Sequence, residues 1–314
     1  MSPAAASPAA ANPGAANSGA ANSAAATSAA AGEELAPTDY AFLADVLHRE
    51  SGLTLVGDKS YLLRTRLLAA ATAWGGGTLR GLVAALRSEQ VLRRTGPRPV
   101  TRAVCDAMTT NETLFFRDGH PFEALREQIL PAAARRATGR PVRLWCAAAS
   151  TGQEPYSVAM CAAMAGAQLA GVPVEILATD YSATALGRAR EGVYSDFEVR
   201  RGLAPGLAAQ FFTSAPSGGV RVAESLRRTV RFEERNLLES FTGLGTFDVI
   251  FCRNVLLYFD TPTKRDVLDR LADALAPEGL LLLGGTETPL GVTTRLRRVT
   301  GLATPAYARA EAGR

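Results

Sequence analysis

Between Val142 and Ser157 an apolar run, a turn of small residues and a helix start follow one another without a gap. Val142 to Cys146 reads as a strand buried on both faces, the usual state of a strand in a parallel sheet. Ala147 to Gly152 carries almost no side chain, so a ligand can come close to the backbone there. Pro155 suits the first turn of a helix, where its missing N–H is not needed. The helix is predicted over Tyr156 to Leu169. In open α/β sheets a nucleotide-like ligand docks at the carboxyl ends of the strands. This stretch therefore points to a layered α/β fold and says where its site should lie.

The turn is not G-x-G-x-x-G, because its glycine positions are mostly alanine and Glu154 sits at the helix entrance. Helix N-termini attract anions, and Glu154 already supplies one, so a pyrophosphate is disfavoured. A cationic ligand fits better. S-adenosylmethionine has adenosine, a sulfonium and an ammonium, and no phosphate. The plainer alternative is that Glu154 only caps the helix.

Strand and helix patterns alternate onward from Val142 to Leu283, which predicts a doubly wound parallel sheet. Val174 to Asp180 is a second strand ending in a carboxylate, where a ribose diol can donate both hydroxyls. Asp180 also qualifies as an N-cap for a helix over Ala183 to Arg190. Residues 191–228 break the rhythm with Gly and Pro and read as a small inserted antiparallel β-subdomain. Val230 to Leu238 is a third strand, Phe247 to Val255 a fourth, Thr263 to Leu275 a helix and Leu280 to Leu283 a fifth strand, after a turn at Pro277-Glu278-Gly279. A last strand is expected near Ala303 to Ala308.

Ahead of the sheet, residues 1–36 are Ala, Ser, Pro, Gly and Asn with no periodic apolar face, and read as a disordered tail. Residues 37–108 read as an N-terminal helical domain, with a first helix capped by Thr38 or Asp39 and running through Tyr40, Phe42, Leu43, Val46 and Leu47, then helices over Lys59 to Trp74, Leu79 to Leu92 and Val100 to Met108. Between Asp58 and Arg102 the domain concentrates positive charge: Lys59, Arg64, Arg66, Arg80, Arg87, Arg93, Arg94, Arg98 and Arg102 stand against only two acids, Asp58 and Glu89. Such an excess steers acidic partners. It lacks the interleaved aromatics of a nucleic-acid surface. Residues 109–314 then form the catalytic domain. Its first segment, Thr109 to Asp118, mixes polar groups with Phe115 and Phe116 and is expected to line a pocket.

Other features exclude whole classes. No apolar run among the 314 residues approaches a membrane span, and no secretory leader is recognisable, so a cytoplasmic location is expected. The four cysteines lack metal-ligand spacing, and with only His48 and His120 a His-based triad or metal site is not expected.

Several strings together resemble the CheR-type chemotaxis-receptor methyltransferases. They are Thr109 to Thr113 with Phe115 to Arg117, Ala147 to Ser157, Ala178 to Asp180, Asn236 to Glu239 and Phe247 to Phe259. The resemblance runs from about Leu35 to Tyr307. It implies a Rossmann-like sheet that transfers a methyl group from S-adenosylmethionine to a glutamate side chain on a helical receptor. It implies cofactor contacts at Asn111, Thr113, Arg117, Glu154, Asp180, Asn236, Leu237, Arg253 and Asn254. It also makes 191–228 the family's β-subdomain, which in some members binds a tethering peptide at the receptor C-terminus. Here the loop Thr213 to Gly219 is short, which points to an enzyme that needs no tether. The second helix retains Arg64 and Arg66 for receptor binding but lacks further arginines that relatives often carry.

Charge and position assign Glu154 and Asp180 to the cofactor, and Arg117 with Tyr258 to the carboxylate or the methionine end. Arg117 can hold a carboxylate through two parallel hydrogen bonds. Tyr258 has the alternative of a half-buried aromatic, and Arg253 that of a structural partner for Glu233 or Asp248. Three rival functions remain distinct from this one. They are a non-catalytic regulatory protein binding S-adenosylmethionine or S-adenosylhomocysteine, a nicotinamide-dependent dehydrogenase, and a nucleic-acid methylase.

Overall fold

The structure, a computed structural model, describes residues 35–92, 98–216 and 218–310. Nearly all of the expected tail, together with Arg93, Arg94 and Ser217, lies outside the described residues. The chain divides into two compact units. One contains residues up to Leu43 with Val56–Met108, the other Ala44–Leu55 with Thr109 onward.

The first unit is helical. Its segments are the start of Pro37–Ser51, then Ser60–Arg66, Leu68–Trp74, Leu79–Leu92 and Pro99–Met108. Two local expectations change. The first helix begins at Pro37, so Asp39 lies inside its first turn and pairs with Arg87 at 3.1 Å. The single helix expected over 59–74 breaks at Leu67 (φ −84°, ψ 0°), and nothing in the sequence marks that break. Glu89 does not offset the surface charge. It is 7% exposed, and its carboxylate accepts the N–H groups of Val100 and Thr101 at 2.9 and 2.8 Å. It thereby satisfies first-turn donors of the next helix that have no intrahelical partner.

The second unit is built on a sheet whose strands are β1 (Val142–Ala147), β2 (Val174–Asp180), β6 (Val230–Glu234), β7 (Phe247–Cys252), β8 (Leu275–Leu283), β9 (Leu296–Val299) and β10 (Ala306–Arg309). The order is β6-β2-β1-β7-β8-β10-β9, with parallel pairing through β8 and antiparallel pairing at β10 and β9. Successive side chains of a strand point to opposite faces. Leu144 and Cys146 accordingly join one apolar cluster, with Ile176, Val249 and Phe251, while Trp145 and Ala147 join another, with Leu177, Ile250 and Cys252. Both faces are covered, which is why the strands read as continuous apolar runs. The connection from β1 leads to β2 on one side while β7 lies on the other, so the order reverses between β1 and β7. Ligand crevices form at such a reversal.

Differences from expectation sit at the far edge. The fifth strand starts at Leu275 and contains Pro277 to Gly279, with a register irregularity opposite Phe247 and Val249 and Glu278 at φ 59°. A bulge is one of the few places a strand accommodates proline. Strand β9 escapes the sequence reading because it is short and carries Arg297 and Arg298, as edge strands often do.

The insertion at 191–228 holds β3 (Val193–Tyr194), β4 (Phe212–Ser214) and β5 (Val220–Val222), antiparallel in the order β3-β5-β4. It also carries short helices at Asp196–Arg200, Pro205–Phe211 and Glu224–Arg227.

Candidate active site at the carboxyl edge of the sheet

The turn after β1 is held at every step. The N–H groups of Ala148 and Ala149 both donate to the Thr179 carbonyl, at 2.9 and 2.8 Å. Ser150 N–H donates to Asp180 Oδ2 at 2.7 Å, and the Tyr194 hydroxyl donates to the Thr151 carbonyl at 2.7 Å. These bonds sustain positive φ at Ala148 (88°), Ser150 (52°) and Gly152 (97°). At Gly152 a Cβ would also lie 2.8 Å from the Tyr194 hydroxyl oxygen. Non-glycine residues rarely adopt this conformation, at a cost of about 1–3 kcal/mol each. Seven do so among the described residues, and five of them, Phe116, Asp118, Ala148, Ser150 and Asn254, belong to the loops at this edge. Strain gathered like this marks a site held in one geometry.

Asp180, 8% exposed, closes β2 and accepts from Ser150 N–H and from Ser182 N–H at 2.8 Å. It is not the cap of the next helix, because Ser182 caps Ala183–Glu191 by accepting from Ala185 N–H.

Glu154 lies in the first turn of the Gln153–Met164 helix, whose N-cap is Gly152 without a side-chain cap. Its Oε2 accepts from Arg253 Nη1 at 3.1 Å. Arg253 follows β7, with its side chain 1% exposed, and its Nη2 also donates to Asp118 Oδ2 at 2.7 Å and to the Arg117 carbonyl at 3.0 Å. Neither partner expected for Arg253 is correct. Asp248 takes Arg140 and the Arg143 N–H, and Glu233 takes Arg231. Burial pushes the Glu154 carboxyl above its ordinary value of 4.5. Arg253 opposes this by charge and hydrogen bond, and the Glu287 charge adds to it. Cys146 and Cys252, buried beside these acids, have thiols pushed well up by desolvation, which leaves them inert.

The segment after Met108 runs without regular structure, as expected. Asn111 gives its carbonyl to Ser150 Oγ at 3.0 Å, and Phe116 N–H donates to Ser157 Oγ at 2.9 Å. Arg117 donates from Nη1 to the Glu112 carbonyl at 3.1 Å. Asn111 and Thr113 line a cleft of about 200 Å³ with Thr151, Gln153 and Arg188.

The remaining predicted residues have other surroundings. Asn236 commits both ends of its amide, donating to the Glu50 carbonyl at 2.7 Å and accepting from Leu238 N–H at 3.0 Å. Leu237 is buried in the second apolar cluster. Asn254 has φ 57° and donates its N–H to Glu287 Oε2 at 2.7 Å. Tyr258 ends a short 3₁₀ turn, Leu256–Tyr258, half-buried, with its carbonyl accepting Thr54 N–H at 2.9 Å. Arg64 and Arg66 belong to the first unit, where Arg66 donates to the Met108 carbonyl at 2.8 Å. Two residues escaped the sequence reading. Asp118 is an acid whose spacing gave no signal, and Glu287 is a carboxylate behind Gly284-Gly285, a pair of glycines at a strand end that could have drawn attention.

The crevice between β1, β2 and β7 is thus rimmed by Asp118 and Glu154, both paired with the buried Arg253, and by Asp180, which the N–H groups of Ser150 and Ser182 hold. Arg253 Nε is also buried without an acceptor among the described residues, a donor that a ligand can satisfy. This donor set fits a ligand that is cationic at one end and has hydroxyls at the other, as S-adenosylmethionine does.

Residues 111–303 match the SAM binding domain of CheR methyltransferase. Chemotaxis protein methyltransferase 1 of Vibrio cholerae is 40% identical over 267 residues, covering 84% of this chain and 94% of its own length. The chemotaxis protein methyltransferase of Vibrio parahaemolyticus is 39% identical over the same span, with the same coverage. Chemotaxis protein methyltransferase 1 of Pseudomonas aeruginosa is 39% identical over 257 residues, 80% of this chain and 90% of that protein. Sheet, crevice and matched domain define a methyltransferase whose cofactor is S-adenosylmethionine. Within that class, the chain belongs to the CheR methyltransferase family. Among the described residues no helix is long and apolar enough to cross a membrane.

Proposed function

We propose that this protein methylates glutamate side chains on chemoreceptor helices, giving methyl esters in chemotaxis-type adaptation. The observation that carries the reading is the acid-rimmed crevice at the carboxyl edge of the sheet, with Glu154 and Asp118 on one buried arginine and Asp180 at the end of β2. It favours a positively charged methyl donor over a diphosphate, which also counts against the dehydrogenase. Relatives named as chemotaxis methyltransferases over most of the chain support the receptor as acceptor.

Bound here, S-adenosylmethionine supplies an electrophilic methyl on a sulfonium, which departs as a neutral thioether. The acceptor carboxylate, with an ordinary pKa of about 4.3, is already ionised at pH 7. No side chain must therefore act as a strong base. The protein's task is alignment, worth roughly 7–11 kcal/mol in well-oriented reactions. It must also replace the water stripped from the carboxylate. Asp180 takes the ribose hydroxyls and Glu154 faces the cationic end. Asn111, Thr113, Arg253 and Asn254 line the cofactor, and Asn236 holds the loop that presents Leu237. Arg117 and Tyr258 face the acceptor carboxylate. Arg64 and Arg66, on the basic helical unit, hold the acidic receptor helix. In this reading 37–108 is the receptor-binding domain and 109–314 the catalytic one.

The β-subdomain takes no tethering peptide, consistent with the tight Ala215–Gly219 turn between β4 and β5. The same reading assigns the protein to the cytoplasm. Incubation with methyl-labelled cofactor and receptor signalling fragments tests it. Label in the receptor that is released as methanol by base is expected. A protein that binds the cofactor but labels no receptor carboxylate would instead be the non-catalytic regulator.

A further inference from the structure

The structure assigns Glu287 as a positioning residue that holds the Asn254–Tyr258 turn in its working geometry. Glu287 lies past the end of β8 and is 9% exposed. Its Oε2 accepts N–H groups from Asn254 at 2.7 Å and Gly284 at 2.8 Å. Its Oε1 accepts from Val255 at 3.0 Å and Leu257 at 3.3 Å. One side chain thus ties the segment after β7 to the segment after β8. A carboxylate with four backbone donors has its acceptor positions filled, so it is built to hold the backbone rather than to meet a ligand.

What it holds explains why that matters. Asn254 sits at φ 57°, in the left-handed region that asparagine enters more readily than other side chains, and the Glu287 bond to its N–H fixes it there. The two ends of the turn are anchored separately. Arg253, at the entry, is fixed by Glu154 and Asp118 and does not touch Glu287. Tyr258, at the exit, has no side-chain hydrogen bond among the described residues. Its backbone is held by its own N–H bond to the Val255 carbonyl, by the Thr54 N–H bond to its carbonyl and by the neighbouring Leu257 N–H bond to Glu287, which also holds Val255. Loosening Glu287 therefore moves Tyr258 and Asn254, while the Arg253 pairing with Glu154 and Asp118 stays in place.

The assignment rests on the proposed role of Tyr258 at the acceptor carboxylate. The test uses the full chain carrying Glu287→Gln, which keeps the shape but turns an amide NH₂ towards backbone donors. Gly284→Ala is an independent disturbance, since its Cβ would lie 2.6 Å from Glu287 Oε2. Hydrogen exchange at Asn254, Val255 and Leu257 should rise at least tenfold in both variants, while β1 and β2 amides stay protected. The kcat for receptor methylation should fall at least tenfold, and S-adenosylhomocysteine affinity should fall by a smaller factor, through Asn254. Unchanged exchange at the three amides overturns the assignment, as does raised exchange with unchanged kcat. Equal loss of cofactor affinity, kcat and β1 protection also overturns it, because that is general unfolding. If the wild-type chain methylates no receptor, the functional reading fails instead. The exchange and affinity measurements still decide whether Glu287 holds the turn.

Discussion

Replacing Asp180 by asparagine tests the ribose assignment at the cost of one oxygen. In the native chain Oδ2 accepts from Ser150 at 2.7 Å and Oδ1 from Ser182 at 2.8 Å. Asparagine keeps one acceptor and places an NH₂ against the other N–H, leaving a buried donor unsatisfied. That costs about 1–3 kcal/mol of stability. The cofactor loses a charge-assisted bond from a ribose hydroxyl, worth about 1.5–3 kcal/mol. At 1.4 kcal/mol per decade, the dissociation constant should rise roughly 10- to 100-fold. Calorimetric titration with S-adenosylhomocysteine measures the affinity, and a thermal melt confirms that the variant is folded at the titration temperature. A folded variant whose dissociation constant moves less than twofold would refute the reasoning.

Arg117→Ala should reduce receptor methylation by orders of magnitude with cofactor binding retained, measured by label transfer beside calorimetry. Near-normal turnover would remove Arg117 from the acceptor side. The Glu154 carboxyl, raised by burial, should begin to protonate above the ordinary 4.5 as pH falls, so cofactor affinity should drop on acidification from there. Glu154→Gln should abolish that step. The same raised value means that ionising Glu154 disfavours the folded state without ligand. Its contribution to stability is fully present below 4.5 and lost as pH rises through the raised value, which the variant's pH–melting curve should show by losing the trend. Burial alone would raise the Asp248 carboxyl, but the hydrogen bonds from Arg140 and Arg143 N–H, with the charges of Arg140 and Arg136, outweigh it and hold the value below 3.8. Asp248→Ala should therefore cost about 2 kcal/mol at neutral pH, discounted for the half-exposed Arg140, and leave turnover per folded molecule unchanged. Denaturant titration would read the cost, and that stability difference should shrink as pH falls through the lowered native value.

The parallel core was legible because its strands are buried on both faces. Leu144 to Ala147 and Val249 to Cys252 then appear as unbroken apolar runs, and neither needs a partner to be recognised. The positions of Asp180 and Glu154 were legible because one closes a strand and the other opens a helix, and both places can be read from the local pattern. What could not be read depended on residues distant in the chain. Arg253 looked as though it belonged to a nearby acid, yet it reaches Glu154 and Asp118 across the fold. Glu287 has no local pattern, since its meaning comes from donors some thirty residues earlier. The bond from the Asn236 amide to the Glu50 carbonyl likewise joins residues far apart in the chain, and no local pattern marks it. The break at Leu67 and the edge strand β9 were missed for another reason. Local periodicity continues through the first, and arginines mask the second.

Diffraction from crystals grown with S-adenosylhomocysteine tests the central claim most directly. The account predicts the ligand at the carboxyl ends of β1 and β2, over the Ala147–Gly152 turn, with its ribose on Asp180. A ligand seated away from that turn, or an empty crevice in a protein that binds the compound in solution, would contradict it.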